Sequence, residues 1–327
     1  MRSRREVILK HHPFQRFPVM PVLCFLAGLM TGCGSSQPFI PPEGQEGNVL
    51  AMVTFERHDP GDRYGAGDVK KDFGTRRSWG TYWPFGRVQI DSSTPPRNRV
   101  LSVRYPRKKL RSFASGASWY WKSFKPEKDL FFSYWVLFPD SFEFRDGGKL
   151  HGFVGGKGNT GGKKPTGHDG WSCRVHWGPG DLIKLYVYHQ DQAREWGDTF
   201  YFTRNPRTCY IEPGRLLSQS EEKIRIERGR WHHIMIRVRI NDIGERNGLA
   251  QAWYDGRLVL DVRGFAFRDE TCDDDDLLIN GVYFSTFFGG RGERYQPVKD
   301  EHILFDDLTV SRRPYNPSGI TLDPVPE

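Results

Sequence analysis

The sequence predicts an all-β protein folded as a jelly-roll antiparallel β-sandwich, and three observations support this fold class. Aromatic residues make up 14% of the 327 residues, and the chain contains 36 Gly and 22 Pro, so strand formers and turn formers are both abundant. Long runs of Ala, Leu, Glu and Lys, which favour helices, are scarce. From about residue 47 onward, short apolar or alternating segments are separated by turn signals, as is typical of a sandwich.

The N-terminal residues 1–32 are expected to be a signal peptide outside the fold. Basic residues are concentrated in 1–17, and the mostly apolar stretch 19–30 is too short to span a bilayer comfortably. The sequence Leu-Met-Thr-Gly-Cys at 29–33 resembles the lipobox of bacterial lipoproteins, which would make Cys33 the lipidated residue. The alternative is an ordinary signal peptide that ends close to a cysteine. We therefore expect an exported protein, either anchored in a membrane and facing the periplasm or cell surface, or secreted.

The composition divides the rest of the chain, after residue 32, into three segments. Residues 33–46 are rich in Pro, Gly and Ser, which is typical of a flexible tether behind a lipid anchor. Residues 47–313 contain no linker or repeat that would divide them, so one domain is expected there. Residues 314–327 contain several prolines and are expected to form a loose tail.

The charge balance favours an acidic polysaccharide as the binding partner. The formal net charge is +8, but residues 1–32 hold five Lys or Arg and one Glu. The remainder therefore carries 43 basic and 39 acidic residues, a net charge of +4. Because an exported protein seldom meets nucleic acid, an acidic glycan is the more plausible polyanion. A monomer that binds no nucleic acid is expected.

Within the domain, twelve segments have the pattern of β-strands. They are 48–56, 98–104, 116–123, 129–138, 170–177, 182–189, 222–228, 231–241, 249–254, 257–262, 281–288 and 302–311.

Segment 231–241 shows a clear alternation between an apolar and a polar face. Arg237 and Arg239 share the polar face with His233. This face either is solvated or lines a groove for a polyanion, in which case Arg237 and Arg239 would contact the substrate.

The segment 170–190 predicts a β-hairpin with a polar face. The turn signal Gly-Pro-Gly-Asp at 178–181 separates two strand patterns. A turn centred near Gly180 places Arg174 opposite Tyr186, and Ser172 opposite Tyr188. Cross-strand neighbours on one face lie ~5 Å apart, so these four side chains should form a cluster. The other face is predicted to be core; it contains Trp171, Cys173, Val175, Trp177, Ile183, Leu185 and Val187.

This cluster has the groups required for β-elimination from a 4-linked uronate. The reaction needs neutralisation of the carboxylate, abstraction of the C5 proton and protonation of the departing O4. Arg174 can hold a carboxylate through two hydrogen bonds. A tyrosine near cations has its phenolate form favoured and can act as a base, while a second tyrosine can donate a proton. The alternative is a polar and aromatic face that only binds sugar.

The glycine-rich segment 147–162 is expected to be a loop whose backbone approaches another group closely. It lacks the spacing of a phosphate-binding loop. Lys149 and His151 are its reactive candidates, and a lysine on a loop is usually just solvated.

Several motifs taken together resemble polysaccharide lyase family 14, which includes alginate lyases and glucuronan lyases. The resemblance covers roughly residues 130–312. The motifs are GGKLHGFVGG at 147–156, WSCRV at 171–175, LYVY at 185–188, INDIGERNG at 240–248, AWYDG at 252–256, YFSTFFGG at 283–290 and ILFDDL at 303–308. The resemblance implies a concanavalin-like jelly roll with a substrate groove on its concave sheet. Two departures from the family are His151, where Pro is usual, and Val-His-Trp at 175–177.

The resemblance also implies a catalytic set, which is Lys149, Ser172, Arg174, Tyr186 and Tyr188. In this hypothesis Arg174, helped by Ser172, neutralises the carboxylate. One tyrosine acts as base and the other as acid, and Lys149 lowers the tyrosine pKa or shares the role of base. Three further residues, His151, His176 and Lys184, are expected to contact the substrate.

No cofactor or metal is predicted. The acidic run at 273–276 lacks the alternation and the turn glycine of a calcium loop, so a solvated loop is expected there. Cys173, Cys209 and Cys272 allow at most one disulfide in an exported protein. A retaining hydrolase is disfavoured, because closely spaced carboxylates on one strand are missing. The main alternative to a lyase is a non-catalytic surface lipoprotein that binds acidic carbohydrate.

Overall fold

The computed structural model describes residues 41–75, 86–93, 98–215, 217–316 and 319–326. The predicted signal peptide, Cys33 and most of the predicted tether lie outside these residues. Within them, no helix is long and apolar enough to cross a membrane.

The described residues form fifteen strands and one α-helix. In chain order these are β1 (Val49–Val53), α1 (Ala66–Phe73), β2 (Val88–Ser92), β3 (Arg99–Tyr105), β4 (Ala117–Trp121), β5 (Asp129–Leu137), β6 (Gly148–Gly156), β7 (Gly170–Trp177), β8 (Ile183–Tyr188), β9 (Asp198–Tyr201), β10 (Thr208–Tyr210), β11 (Trp231–Arg239), β12 (Gly248–Tyr254), β13 (Arg257–Phe265), β14 (Ile279–Phe288) and β15 (Glu301–Ser311).

Two sheets contain all of these strands. The larger has the order β10-β13-β12-β11-β5-β15-β3-β2, with β1 also paired to β15. The smaller has the order β4-β14-β6-β7-β8-β9. Strand pairs are antiparallel apart from β10 with β13, and the predicted β-sandwich of jelly-roll type is confirmed.

The main core lies between the two sheets and contains side chains from both. Phe132 and Tyr134 of β5 belong to the same buried cluster as Trp171 and Trp177 of β7. The seven residues predicted for the inner face of the hairpin all belong to this cluster, so that prediction is confirmed. Each buried apolar side chain of this size contributes about 1.5–3 kcal/mol from removal of its surface from water.

Eleven of the twelve predicted strands correspond to strands of the structure. The exception is 222–228, where Lys223 and Arg225 make only isolated bridges, to Thr203 and Leu182. The helix α1 and the strands β2, β6, β9 and β10 were not predicted, and most of them are short.

The glycine-rich segment 147–162 is the main correction to the fold, because most of it is strand β6 and not a loop. A Cβ atom on Gly148 would lie 2.0 Å from the ring of Trp177, and one on Gly155 would lie 2.2 Å from the indole of Trp171. The glycines therefore make room for two large side chains between the sheets. The expected close approach of the glycine backbone to other groups is present, but it occurs within a sheet and not in a loop.

The C-terminal residues 319–326 pack against the fold, so the expected loose tail is wrong for this stretch. Leu322 and Val325 contact an apolar cluster of the larger sheet, formed by Phe131, Met235 and Trp253. The backbone N–H of Asp323 donates to the carbonyl oxygen of Gly256 at 2.7 Å, which fixes the chain direction there.

Candidate active site

The hairpin of β7 and β8 has the predicted register. Arg174 pairs with Tyr186, and Ser172 pairs with Tyr188. The turn includes a 3-10 segment, Pro179–Asp181, in which Gly180 has a φ of +62°, a conformation that favours glycine.

A second row of side chains crosses the smaller sheet beside this cluster. Lys149 of β6 pairs with His176 of β7, which in turn pairs with Lys184 of β8. Because side chains alternate between the faces of a strand, this row and the Arg174–Tyr186 pair lie on the same face.

A groove of about 840 Å³ lies on this outer face of the smaller sheet. It is lined by four of the five residues that the family resemblance implied to be catalytic, namely Lys149, Arg174, Tyr186 and Tyr188. His176 and Lys184 also line it. That these two residues contact substrate remains a prediction.

The lining of the groove is strongly basic. Among the described residues that line it, the only acidic one is Asp146, which forms an ion pair with Arg294 at 3.0 Å. Seven lining residues are basic: Arg111, Lys149, Lys163, Arg174, Lys184, Arg291 and Arg294. A concave surface with this imbalance attracts and retains a polyanion.

The surroundings of the Lys149 amine favour its neutral form. Its Nζ lies 3.2 Å from Nδ1 of His176 and 5.1 Å from the centre of the Tyr186 ring. Burial, and then the positive charges of Arg174 and Lys184, hold the pKa of Lys149 well below its ordinary value. Burial, followed by the neighbouring Lys149, Arg174 and Lys184, also holds the pKa of His176 well below its ordinary value, which favours a neutral imidazole. A neutral amine can accept a proton from carbon.

Arg174 is a buried cation with unused hydrogen-bonding capacity. Its side chain is 3% exposed, and Nη1 lies 3.4 Å from Oγ of Ser285. Its guanidinium carbon lies 5.4 Å from the centre of the Tyr283 ring. Among the described residues, none accepts a hydrogen bond from its buried Nε. Because an unpaired buried charge is costly, this guanidinium is suited to a carboxylate that enters the groove.

The two tyrosines contact each other edge to face, with ring centres 5.5 Å apart. Burial, followed by the neighbouring Tyr188, raises the pKa of Tyr186 well above its ordinary value, and Arg174 only partly opposes this effect. The expected lowering of the tyrosine pKa is therefore wrong for Tyr186, since desolvation outweighs the nearby cation. The Oη of Tyr188 accepts a hydrogen bond from the backbone N–H of Gly162 at 2.9 Å.

Ser172 does not line the groove. It is fully buried, and its hydroxyl donates to the carbonyl oxygen of Asn159 at 2.7 Å. Asn159 in turn donates from Nδ2 to a carboxylate oxygen of Asp169 at 2.8 Å. The expectation that Ser172 helps to bind the carboxylate is contradicted, because its hydroxyl instead fastens the loop 157–169 to β7.

His151 points into the core and cannot contact substrate. Its ring stacks on Phe284 at 3.8 Å between centres and lies 4.6 Å from Phe305 of the other sheet. Its Nδ1 accepts a hydrogen bond from the backbone N–H of Ser285. The register of β6 shifts between Lys149 and Gly152, and this irregularity turns His151 inward.

Arg237 and Arg239 belong to the larger sheet, away from the groove. Arg237 forms two hydrogen bonds to Asp129, at 2.9 and 2.6 Å. Arg239 is exposed and donates to the carbonyl oxygen of Asn247. The prediction that they contact substrate is wrong. The solvated-face interpretation holds for Arg239, which is exposed, but not for His233, which is buried, or for Arg237, whose side chain is only 14% exposed. The alternation in 231–241 identified the outer face but could not show which sheet carries the groove.

The sequence analysis missed two exposed aromatic residues that line the groove, Phe113 and Trp196. They are 54% and 46% exposed. Phe113 and Trp196 each lie next to charged or polar residues, in segments that lack the pattern of a strand. An isolated aromatic residue in such a segment was the available signal.

The acidic run at 273–276 does not form a metal site in the part of the chain that the structure describes. Instead, Nη1 of Arg268 donates to the carbonyl oxygens of Asp273, Asp274 and Asp276. Within the described ranges, no three His, Cys, Asp or Glu side chains come together as a possible metal site. Cys173, Cys209 and Cys272 are free thiols.

Two solved alginate lyase structures are similar to this chain. Alginate lyase Aly36B is 28% identical, with a TM-score of 0.63, and the match covers 84% of this chain and 99% of Aly36B. The alginate lyase of Aplysia kurodai, at 19% identity, shares the fold with a TM-score of 0.59, over 80% of this chain and 98% of that protein.

A viral relative matches over a shorter part of its own length. Exolysin of Paramecium bursaria Chlorella virus 1 is 26% identical over 202 residues, which is 54% of this chain and 28% of exolysin. The chain therefore spans less than a third of that curated relative.

The sequence profile of polysaccharide lyase 14 matches residues 93–308, which include both strands of the hairpin, Lys149 and the whole floor of the groove. Because this match covers about two thirds of the chain, it decides the classification: the chain belongs to polysaccharide lyase family 14.

Proposed function

We propose that this lyase cleaves alginate or a related polyuronate by β-elimination in the groove of the smaller sheet. One observation carries the proposal: a buried arginine, a desolvated lysine amine and two tyrosines converge in a groove with seven basic residues and one acidic residue. A neutral glucan would leave these charges unpaired. The alginate lyases among the structural relatives support the choice of substrate class.

In the proposed reaction, the uronate carboxylate pairs with Arg174, which stabilises the negative charge that develops when the C5 proton leaves. The neutral amine of Lys149 takes that proton. The electron pair of the C5–H bond forms the C4=C5 double bond, and the C4–O4 bond breaks. Tyr186, kept protonated by burial, or the adjacent Tyr188 donates a proton to the departing O4. No water is consumed, and the product carries one unsaturated uronate.

A simple assay tests this function. The purified protein is incubated with alginate, polyglucuronate and a neutral glucan, and ultraviolet absorbance of the unsaturated product is followed. We expect absorbance to rise only with a polyuronate. New reducing ends without absorbance would indicate hydrolysis. The absence of any product from every uronate would favour the carbohydrate-binding alternative.

We also propose that the protein is an exported monomer with a lipid on Cys33. The lipobox-like sequence at 29–33 and the Pro-, Gly- and Ser-rich 33–46 support this. Expression in bacteria with a labelled fatty acid tests it: label should enter the wild type and be absent from a Cys33→Ser variant. Equal labelling of both would overturn the lipid anchor, and size-exclusion chromatography with light scattering tests the monomer.

A further inference from the structure

An exposed indole stands at the rim of the groove. Trp196 lies between β8 and β9 and lines the groove, and its side chain is 46% exposed. Only three other large hydrophobic side chains in the described part of the chain are comparably exposed: Phe113, Tyr210 and Val298. Large apolar surface left in water at the edge of a groove is unfavourable, and often marks a surface that a ligand covers.

Trp196 reaches across the groove to Arg291. The guanidinium carbon of Arg291 lies 5.7 Å from the centre of the indole. Arg291 follows β14, whereas Trp196 follows β8, and strands β6 and β7 separate these two in the sheet. The contact therefore passes over the strands that carry Lys149 and Arg174. We refer to the Trp196–Arg291 pair as the clasp.

Trp196 itself, and Gly289 two residues before Arg291, lie close to residues of the reactive cluster or their supports. A Cβ atom on Gly162 would lie 3.2 Å from the indole, so Trp196 rests on the residue whose N–H holds Tyr188. On the other side, a Cβ atom on Gly289 would lie 3.1 Å from Cε of Lys149. A polymer that reaches Lys149 and Tyr188 together must therefore meet the clasp.

We propose that the clasp is a substrate-binding subsite that a polyuronate opens. This inference rests on the proposed function. The incoming chain displaces the contact between the two side chains, the indole then stacks on the apolar face of one sugar ring, and Arg291 pairs with a carboxylate of the bound chain.

The exchange is energetically reasonable for three reasons. An exposed cation–π contact is weak and easily replaced. The fork of a guanidinium matches a carboxylate in two hydrogen bonds, which an aromatic ring cannot offer. The flat indole is suited to the C–H face of a pyranose, and its N–H can remain in water. Both residues bind substrate and take no part in proton transfer, so their loss should weaken binding and leave the chemical step intact.

Steady-state kinetics on alginate separate these effects. Trp196→Ala should raise KM about tenfold, and Arg291→Ala about fivefold, with kcat within about twofold of wild type. Arg291→Ala should also reduce the dependence of KM on salt, because a charge pair is lost. The matched controls are Tyr210→Ala and Arg215→Ala, which replace exposed residues of the same kinds outside the groove. Both should behave as wild type.

Two results would overturn the clasp as a subsite. One is a KM within twofold of wild type for both Trp196→Ala and Arg291→Ala. The other is a large loss of kcat at unchanged KM, which would place these residues in support of the reaction itself.

A binding measurement keeps this test independent of turnover. Titration of the Tyr186→Phe variant with an alginate oligosaccharide should change tryptophan fluorescence, and adding Trp196→Phe should remove most of that change. If the wild type acts on no uronate, the proposed function fails, yet this titration still decides whether the clasp binds one. Unchanged fluorescence in both variants would refute the clasp.

Discussion

Replacement of Ser172 by Ala distinguishes a structural serine from a serine that binds substrate. The hydroxyl is fully buried and donates to the carbonyl oxygen of Asn159 at 2.7 Å, so its removal leaves a buried acceptor without that donor. Loss of one partner in a buried hydrogen bond costs about 1–3 kcal/mol. We expect Ser172→Ala to lower the free energy of unfolding by about 2 kcal/mol.

The same substitution should affect activity only indirectly. The loop 157–169 that Ser172 fastens also contains Gly162, whose N–H positions Tyr188. Loosening this loop should reduce kcat about tenfold or less, far below the loss caused by removing a group that touches the reacting atoms.

The assays are urea unfolding followed by fluorescence, and product absorbance on a polyuronate. The matched control is Ser133→Ala, because Ser133 of the larger sheet is also buried and its hydroxyl donates to the backbone carbonyl oxygen of Tyr315 at 3.3 Å. It should lose some stability and no activity. If Ser172→Ala abolished turnover without any loss of stability, Ser172 would have to contact substrate, and the reasoning from its hydrogen bond would be refuted.

Three further predictions concern the groove and the tail. Arg174→Ala should lower kcat/KM about a thousandfold, measured by product absorbance, because the carboxylate loses its charge-stabilising partner; a loss below tenfold would contradict its role. Lys184→Gln should raise the pKa of Lys149, since the positive charge of Lys184 lowers it. The amine must be neutral to accept a proton, so the acidic limb of the profile of kcat/KM against pH should move to higher pH; a shift to lower pH would exclude Lys149 as the base. Replacing both Leu322 and Val325 by Ser should lower the denaturation midpoint and leave kcat unchanged, because these side chains cover apolar surface on the other sheet; an unchanged midpoint would show that the tail adds no stability.

The hairpin was the part of the site most accessible from sequence. A strong turn signal and a period of two fix both the register and the face of each side chain, so the pairs Arg174–Tyr186 and Ser172–Tyr188 could be derived before any coordinates. What the register could not show is what covers a residue from above. Ser172 faces the same side as Arg174, yet the loop 157–169 lies over it.

The misassigned residues share one physical cause, which is that sequence patterns are local. The glycines of β6 have the composition of a loop, and only the indoles of distant Trp171 and Trp177 explain them. His151 faces inward because of an irregularity in strand pairing, which leaves no trace in composition. Arg237 lies on an outer face as predicted, but a sandwich has two outer faces, and sheet order alone decides which one carries the groove.

The hydrogen bond from Gly162 to Tyr188 has a consequence for how such an enzyme can diverge. Its donor is a main-chain group, so as long as Tyr188 keeps its hydroxyl, the bond depends on the geometry of the loop and not on the side chains that the loop carries. Gly162 has a φ of +87°, a conformation that other residues adopt with strain. Changes in the length and composition of the loop 157–169 should therefore shift the position of Tyr188 while the other reactive groups stay fixed. We expect grafted loops of different length to change kcat while Lys149 and Arg174 stay in place.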